Sequence, residues 1–237
     1  MAAPLFKLMP RLPALREFFR LLYLDGVRSV GLVVLMAAAL AAGEVRLMTD
    51  SLGLRSAYSV HLQWLVSVRV LGPLLVPVVF IARSGAAIAV SVGEMAGKGE
   101  WRGLRRQGIN PFGIYVLPCT VAGSLSCMLL LCYWLATGVI ISVVSSPNFD
   151  VLGELDLLFS QINGIDMVLA LLRAGLCGAV ASLITCWWGS RAELNDRDQG
   201  LSLPSLVSEG VLQALVAVLL LDLLSSTLIQ PITLTSL

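Results

Sequence analysis

Charged side chains are scarce in this sequence. Only 13% of its 237 residues are Asp, Glu, Lys or Arg, against roughly 25% in a typical soluble domain. This deficit excludes a chain whose whole surface faces water. In contrast, 57% of the residues are hydrophobic, and several apolar runs reach the ~20 residues that a helix needs to cross a ~30 Å hydrocarbon core. We therefore predict an all-α integral membrane protein.

Side chains that carry common catalytic and metal chemistry are also rare. The single histidine, His61, cannot supply a histidine-based zinc site or a catalytic triad, so we predict no catalytic residue and no metal site. The sequence contains no GxxxxGKS or GxxxxGKT loop, which excludes ATP binding by that route, and we expect no cofactor in this chain. Basic residues do not cluster with aromatic ones, so we expect no nucleic-acid partner.

All cysteines of the chain lie inside apolar runs. Thiols in such positions are more often small buried packing residues than disulfide partners or metal ligands. We therefore expect packing roles for Cys119, Cys127, Cys132, Cys177 and Cys186.

The amino-terminal region predicts a helix that lies in the membrane interface. Within residues 13–25, Leu15 and Phe18 share one helical face, whereas Arg16 and Arg20 lie on the other. This pattern is typical of a helix lying flat at the boundary between headgroups and acyl chains. An ordinary amphipathic core helix is the alternative.

Apolar runs predict a single membrane domain over residues 1–237 with five spans. A Gly-rich, charged segment at 94–108 separates spans two and three. The predicted spans cover residues 26–43, 62–83, 112–144, 166–188 and 211–232.

The distribution of Lys and Arg predicts the orientation of the chain. Basic residues are concentrated before span one and between residues 83 and 111, whereas the loop 145–165 carries acidic residues and neither Lys nor Arg. Cytoplasmic loops hold the excess of Lys and Arg. We therefore place the amino terminus in the cytoplasm and the carboxyl terminus on the far side.

Three charged residues lie well inside the predicted spans, namely Arg69, Arg173 and Asp222. Charges in hydrocarbon are costly and normally face protein or a water-filled cavity. At ~1.5 Å of rise per residue, Arg173 and Asp222 reach a similar depth, so they could pair. The pair would either fix helix packing or line a substrate cavity, and the two roles are compatible. Arg69 has no obvious partner within its own helix, so its alternatives are a partner elsewhere in the protein or a polar headgroup.

Span two carries prolines and small residues that shape it. Pro73 and Pro77 each remove a backbone donor and predict a bend. Gly72, Gly85 and Ala86 suit close helix packing, for example against a second copy of the chain.

The segment 94–108 predicts a compact docking surface beyond span two. Its glycines each cost ~1 kcal/mol against alanine in a helix, so a helix here would need a partner to hold it. Trp101 and Leu104 would share a face and form the apolar contact. A solvated loop is the alternative. The charged residues proposed to flank this contact are Glu94, Lys98, Glu100, Arg102 and Arg105.

Several short motifs of the chain resemble those of the Mla-type lipid ABC transporter permeases associated with MCE proteins. The chain would be a divergent member of that family. Residues 69–73 (RVLGP) are similar to the family's RELGP element, and residues 82–87 (ARSGAA) to the A-G-R-A/S-G-S/A-A stretch that follows it. Residues 91–95 (SVGEM) resemble the E-I-G-x-M element. Asn110-Pro111 resembles a D-P before span three.

The resemblance continues to the end of the chain and includes two departures. Arg173 matches a basic residue in span four, and Asp222 matches the aspartate of a G-L-D-F element. Val70 and Ser91, however, stand where the family carries glutamates. These departures open the question of how Arg69 is held without the neighbouring acid.

The resemblance implies a permease subunit rather than an enzyme. It implies a homodimer, or half of a heterodimer, in the bacterial inner membrane, with 94–108 coupled to two ABC ATPase subunits that bind ATP and Mg. An MCE-domain protein would lie on the periplasmic side. Such complexes move phospholipids or related lipids between the inner membrane and the outer envelope. A lipid cavity would involve Arg69, Arg173 and Asp222.

Two other function classes remain as alternatives. An intramembrane enzyme that modifies lipids would need clustered acids, histidines or a cation site near one face of the bilayer, and the sequence offers no such cluster. A membrane scaffold without transport activity is the other, and unchanged lipid distribution after Asp222→Ala and Arg173→Ala with normal assembly would favour it.

Overall fold

The computed structural model describes residues 22–52, 64–108, 110–145, 164–191 and 203–234. Every regular element in these ranges is a helix, and five helices are long and apolar enough to cross a membrane. The prediction of an all-α integral membrane protein is therefore confirmed. Spans one to five are Ser29–Leu47, Trp64–Gly97, Phe112–Val144, Gly164–Ser190 and Val207–Thr227.

Residues 13–21 of the predicted interfacial helix lie outside the described ranges, so that helix stays a prediction.

Most spans belong to α-helices with few interruptions. π-Helical turns at Leu22–Val27 and Phe112–Val116 lead into spans one and three. The α-helices of spans one, three, four and five are Arg28–Leu52, Leu117–Ser145, Gly164–Ser190 and Leu203–Leu234.

Span two extends further than its apolar run indicated. Its 34 residues extend about 51 Å at ~1.5 Å per residue, beyond a ~30 Å hydrocarbon core. The helix continues past Arg83, where the predicted span ended, because no turn interrupts it before Gly99, whose φ is 76°. Its α-helical parts are Gly72–Phe80 and Ala86–Gly97, and its π-helical turns are Ser67–Leu71 and Ile81–Gly85.

Span four lies at the centre of the bundle. It packs against spans two, three and five, while span one packs against span three. The apolar stretches of spans two and four are 44% buried, whereas those of spans one and five are 22% buried, so spans one and five are peripheral. Glycines permit the closest approach: a Cβ on Gly178 would lie 2.6 Å from the carbonyl oxygen of Gly123 in span three.

The small residues of span two make their close contacts within this chain. A Cβ on Gly72 would lie 2.7 Å from Cδ1 of Leu131 in span three. A Cβ on Gly85 would lie 3.3 Å from Cγ2 of Thr185 in span four. Pro73 is buried and Ala86 is half-buried. This face of span two therefore packs on its own bundle, which holds span two against span four.

Candidate functional site

A buried ion pair joins spans four and five. Nη2 of Arg173 lies 2.6 Å from Oδ1 of Asp222, and the two side chains are only 10% and 8% exposed. The same nitrogen donates to the backbone carbonyl of Asp222 at 3.2 Å. Because each charge has the other as its partner, both can lie inside an apolar bundle at a tolerable cost in free energy.

Arg173 also reaches span two. Its Nη1 donates to the backbone carbonyl of Arg69 at 3.1 Å. That carbonyl is open to an outside donor because the residue four positions further along is Pro73, which has no N–H to give it. Nε of Arg173 has no hydrogen-bond partner among the described residues. One guanidinium therefore connects three spans.

A second ion pair lies nearer the end of the bundle. Nη2 of Arg69 is 2.9 Å from Oδ2 of Asp166, with side chains 42% and 21% exposed. Asp166 lies in the first turn of span four, and Arg69 lies five residues after the start of span two at Trp64. In the sequence, Asp166 marks only the predicted start of span four. The signal that could have identified it is its depth, which is close to that of Arg69.

The two pairs border a cavity of about 300 Å³ between spans two, four and five. Val70, which stands where the family pattern has glutamate, contributes an apolar side chain to the wall. The acid next to Arg69 is instead Asp166 of span four. Apolar walls with a few placed charges suit a ligand that is part apolar and part polar. The lining consists of Leu65, Val66, Val68, Arg69, Val70, Asp166, Leu169, Ala170, Arg173 and Ser226.

The described residues offer no alternative centre of metal chemistry. No group of three or more His, Cys, Asp or Glu in the described part of the chain could hold a metal ion. Cys132 is exposed on span three, whereas the other cysteines are buried in the bundle, at Cys119, Cys127, Cys177 and Cys186.

The predicted coupling segment forms a short helix at Glu100–Arg106 beyond span two. Trp101 is 4% exposed and belongs to the apolar core, and its Nε1 has no hydrogen-bond partner within the described ranges. The short helix packs against the end of span two. Trp101 therefore faces its own chain, while Leu104 is half-buried. The charged residues predicted to flank this contact, Glu94, Lys98, Glu100, Arg102 and Arg105, are all exposed, as is Arg106.

Comparison with known proteins agrees with this architecture. The sequence profile of the family described as Permease MlaE matches residues 18–228. The chain is also 25% identical over 164 residues to the protein TRIGALACTOSYLDIACYLGLYCEROL 1, chloroplastic, of Arabidopsis thaliana. That alignment covers 67% of this chain and 45% of the relative, so the chain spans less than half of the relative's length. Because the profile covers most of the chain, this multi-pass membrane protein belongs to the MlaE permease family.

Proposed function

We propose that the chain is the transmembrane permease subunit of an ABC transporter that moves phospholipids or related lipids. The observation that carries the proposal is the cavity of about 300 Å³, in which two ion pairs border otherwise apolar walls. A lipid needs both surfaces, one for its acyl chains and one for its headgroup. Membership of the permease family supports a transport role over lipid modification or a purely structural role.

The long second span supplies a mechanical connection in this proposal. Span two is one continuous helix from the cavity wall at Arg69 and Val70 to Gly97. After a turn, the short helix begins at Glu100. A force applied to the short helix would tilt span two and move Arg69 relative to Asp166 on span four. The cavity would change shape without any covalent chemistry in this chain.

Separate ATPase subunits would supply that force and would bind ATP and Mg. The exposed charges of 94–108 are the contact that we propose for them, including Glu94, Glu100 and Arg105. A second permease copy, identical or homologous, would complete the lipid path, and an MCE-domain protein would receive or deliver lipid on the periplasmic side. In this proposal the chain would lie in a bacterial inner membrane, with its amino terminus in the cytoplasm, as the distribution of Lys and Arg favours.

Reconstitution of the purified complex tests the proposal. The chain is isolated in mild detergent with the subunits that co-purify, and placed in liposomes that contain a fluorescent phospholipid. We expect an ATPase subunit in the preparation and movement of lipid that depends on ATP. A matched preparation carries Arg173→Ala, which leaves Asp222 without its partner, and should lose lipid movement while still binding the ATPase.

Other outcomes favour the alternatives. Conversion of the lipid by the isolated chain would indicate an intramembrane enzyme. Normal assembly with no lipid movement in any preparation would indicate a scaffold. Purification without any ATPase subunit would contradict the ABC assignment.

A further inference from the structure

The two ion pairs of the cavity differ in accessibility. The Arg173 and Asp222 side chains are 10% and 8% exposed, and Arg173 is held by further hydrogen bonds to two backbone carbonyls. The Arg69 and Asp166 side chains are 42% and 21% exposed, and within the described ranges each side chain forms its hydrogen bond only with the other. A ligand that enters the cavity can therefore reach the Arg69–Asp166 pair far more easily than the inner pair.

The charges at the cavity are paired. The charged residues among the described lining are Arg69, Arg173 and Asp166. Asp222 does not line the cavity, but it neutralises Arg173 from span five, so the two ion pairs together carry no net charge. A net charge brought in by a ligand would consequently meet no net opposite charge. In a site with mostly apolar walls, an uncompensated charge is costly.

From these observations we propose that the Arg69–Asp166 pair selects zwitterionic phospholipid headgroups over anionic ones. This inference rests on the proposed function, because it takes the cavity to be the lipid site. The headgroup would insert between the two side chains, so that its phosphate pairs with Arg69 and its ammonium pairs with Asp166. One ion pair is thereby replaced by two, and every charge keeps a partner.

An anionic headgroup without an ammonium group cannot make this exchange. Its phosphate can take Arg69, because guanidinium binds phosphate through paired N–H groups, but Asp166 is then left without a cation. The inner pair offers no substitute, since both Nη atoms of Arg173 already donate to Asp222 and to the carbonyl of Arg69. Asp166 is thus a specificity-determining residue through the charge that it presents.

Lipid titration of the full-length purified chain tests the inference. Phosphatidylethanolamine and phosphatidylglycerol with identical acyl chains are titrated separately, and bound lipid is counted by native mass spectrometry. We expect the zwitterionic lipid to bind about fivefold tighter, the scale of one partly exposed ion pair. Asp166→Asn should cancel or reverse this ratio, because it leaves Arg69 without an acid and gives the charged groups of the two pairs a net positive charge.

Two further variants control the experiment. Asp166→Glu keeps the charge and should keep the preference. Glu209→Gln removes an exposed carboxylate from the same helix as Asp222, about 20 Å away along its axis, and should change nothing. Equal affinities in the wild type, or an unchanged ratio in Asp166→Asn, would overturn the inference while lipid binding stands. Absence of binding by both lipids would overturn the proposed function and the inference with it.

Discussion

Arg173 is the residue on which the arrangement of the charged site depends. Its guanidinium contacts an acid on span five and a carbonyl on span two. A lysine carries a single side-chain nitrogen and lacks the planar guanidinium, whose separate N–H groups can donate to two partners in different directions. The position of Pro73 also matters for these contacts. Proline has no backbone N–H to donate to the carbonyl of Arg69, so that carbonyl can accept from Arg173.

The contrast between the two ion pairs gives a prediction about stability. Asp222→Ala leaves the buried Arg173 unpaired and should lower the free energy of unfolding by about 3 kcal/mol. Asp166→Ala removes the acid of the more exposed pair and should cost less than about 1 kcal/mol. Unfolding of both variants in mixed detergent–SDS micelles measures the difference.

An apolar double variant separates charge burial from packing. Arg173→Leu with Asp222→Leu removes both charges at once and should recover most of the stability lost in Asp222→Ala. Equal costs for Asp222→Ala and Asp166→Ala would contradict the account of the two pairs.

Among the elements, the short helix Glu100–Arg106 is the one least able to hold itself. It has seven residues, including Gly103, and isolated helices of this length are unstable in water. Burial of Trp101 in the core of the same chain fixes it instead. From the glycine content of the segment we expect an external partner to hold this helix, and the structure shows an internal contact that also holds it.

Removal of that contact should release the helix. Trp101→Ala should raise hydrogen–deuterium exchange across residues 98–108 while spans three and four keep their protection, because only the anchor of the short helix is lost. Exchange measured by mass spectrometry follows each segment separately. Trp187→Ala, which truncates an indole that is 51% exposed, is the matched control and should leave 98–108 protected. Unchanged exchange in Trp101→Ala would show that the helix has another anchor.

The elements also show what the sequence could and could not predict. Apolar runs identify the spans because lipid requires them, and depth along a helix suggested that Arg173 could meet Asp222. The end of span two was harder to place, since residues 84–97 are small and mixed in character but still helical. The Arg69–Asp166 pair was missed because its partners are 97 positions apart and Asp166 falls at a span boundary.

At the scale of the whole molecule, the proposal requires the short helix and the cavity mouth to lie on opposite sides of the membrane. In a variant without native cysteines, Gln107→Cys should react with an impermeant maleimide in inverted vesicles but not in intact spheroplasts. Gly164→Cys, at the other end of the bundle, should show the opposite pattern. Both positions are exposed. If Gln107→Cys were labelled in intact spheroplasts, 94–108 would lie outside the cytoplasm and could not contact a cytoplasmic ATPase.

The central claim is that the cavity between spans two, four and five holds a lipid. Photo-crosslinking tests it most directly, with a diazirine amino acid placed at Leu169 in the cavity wall or at Leu176, which is 59% exposed on the same span. The protein is exchanged into lipid-free detergent before irradiation, and adducts are identified by mass spectrometry. The account predicts a phospholipid adduct at Leu169 and none at Leu176, since only enclosed lipid survives the exchange. Equal adducts at both positions, or none at Leu169, would contradict it.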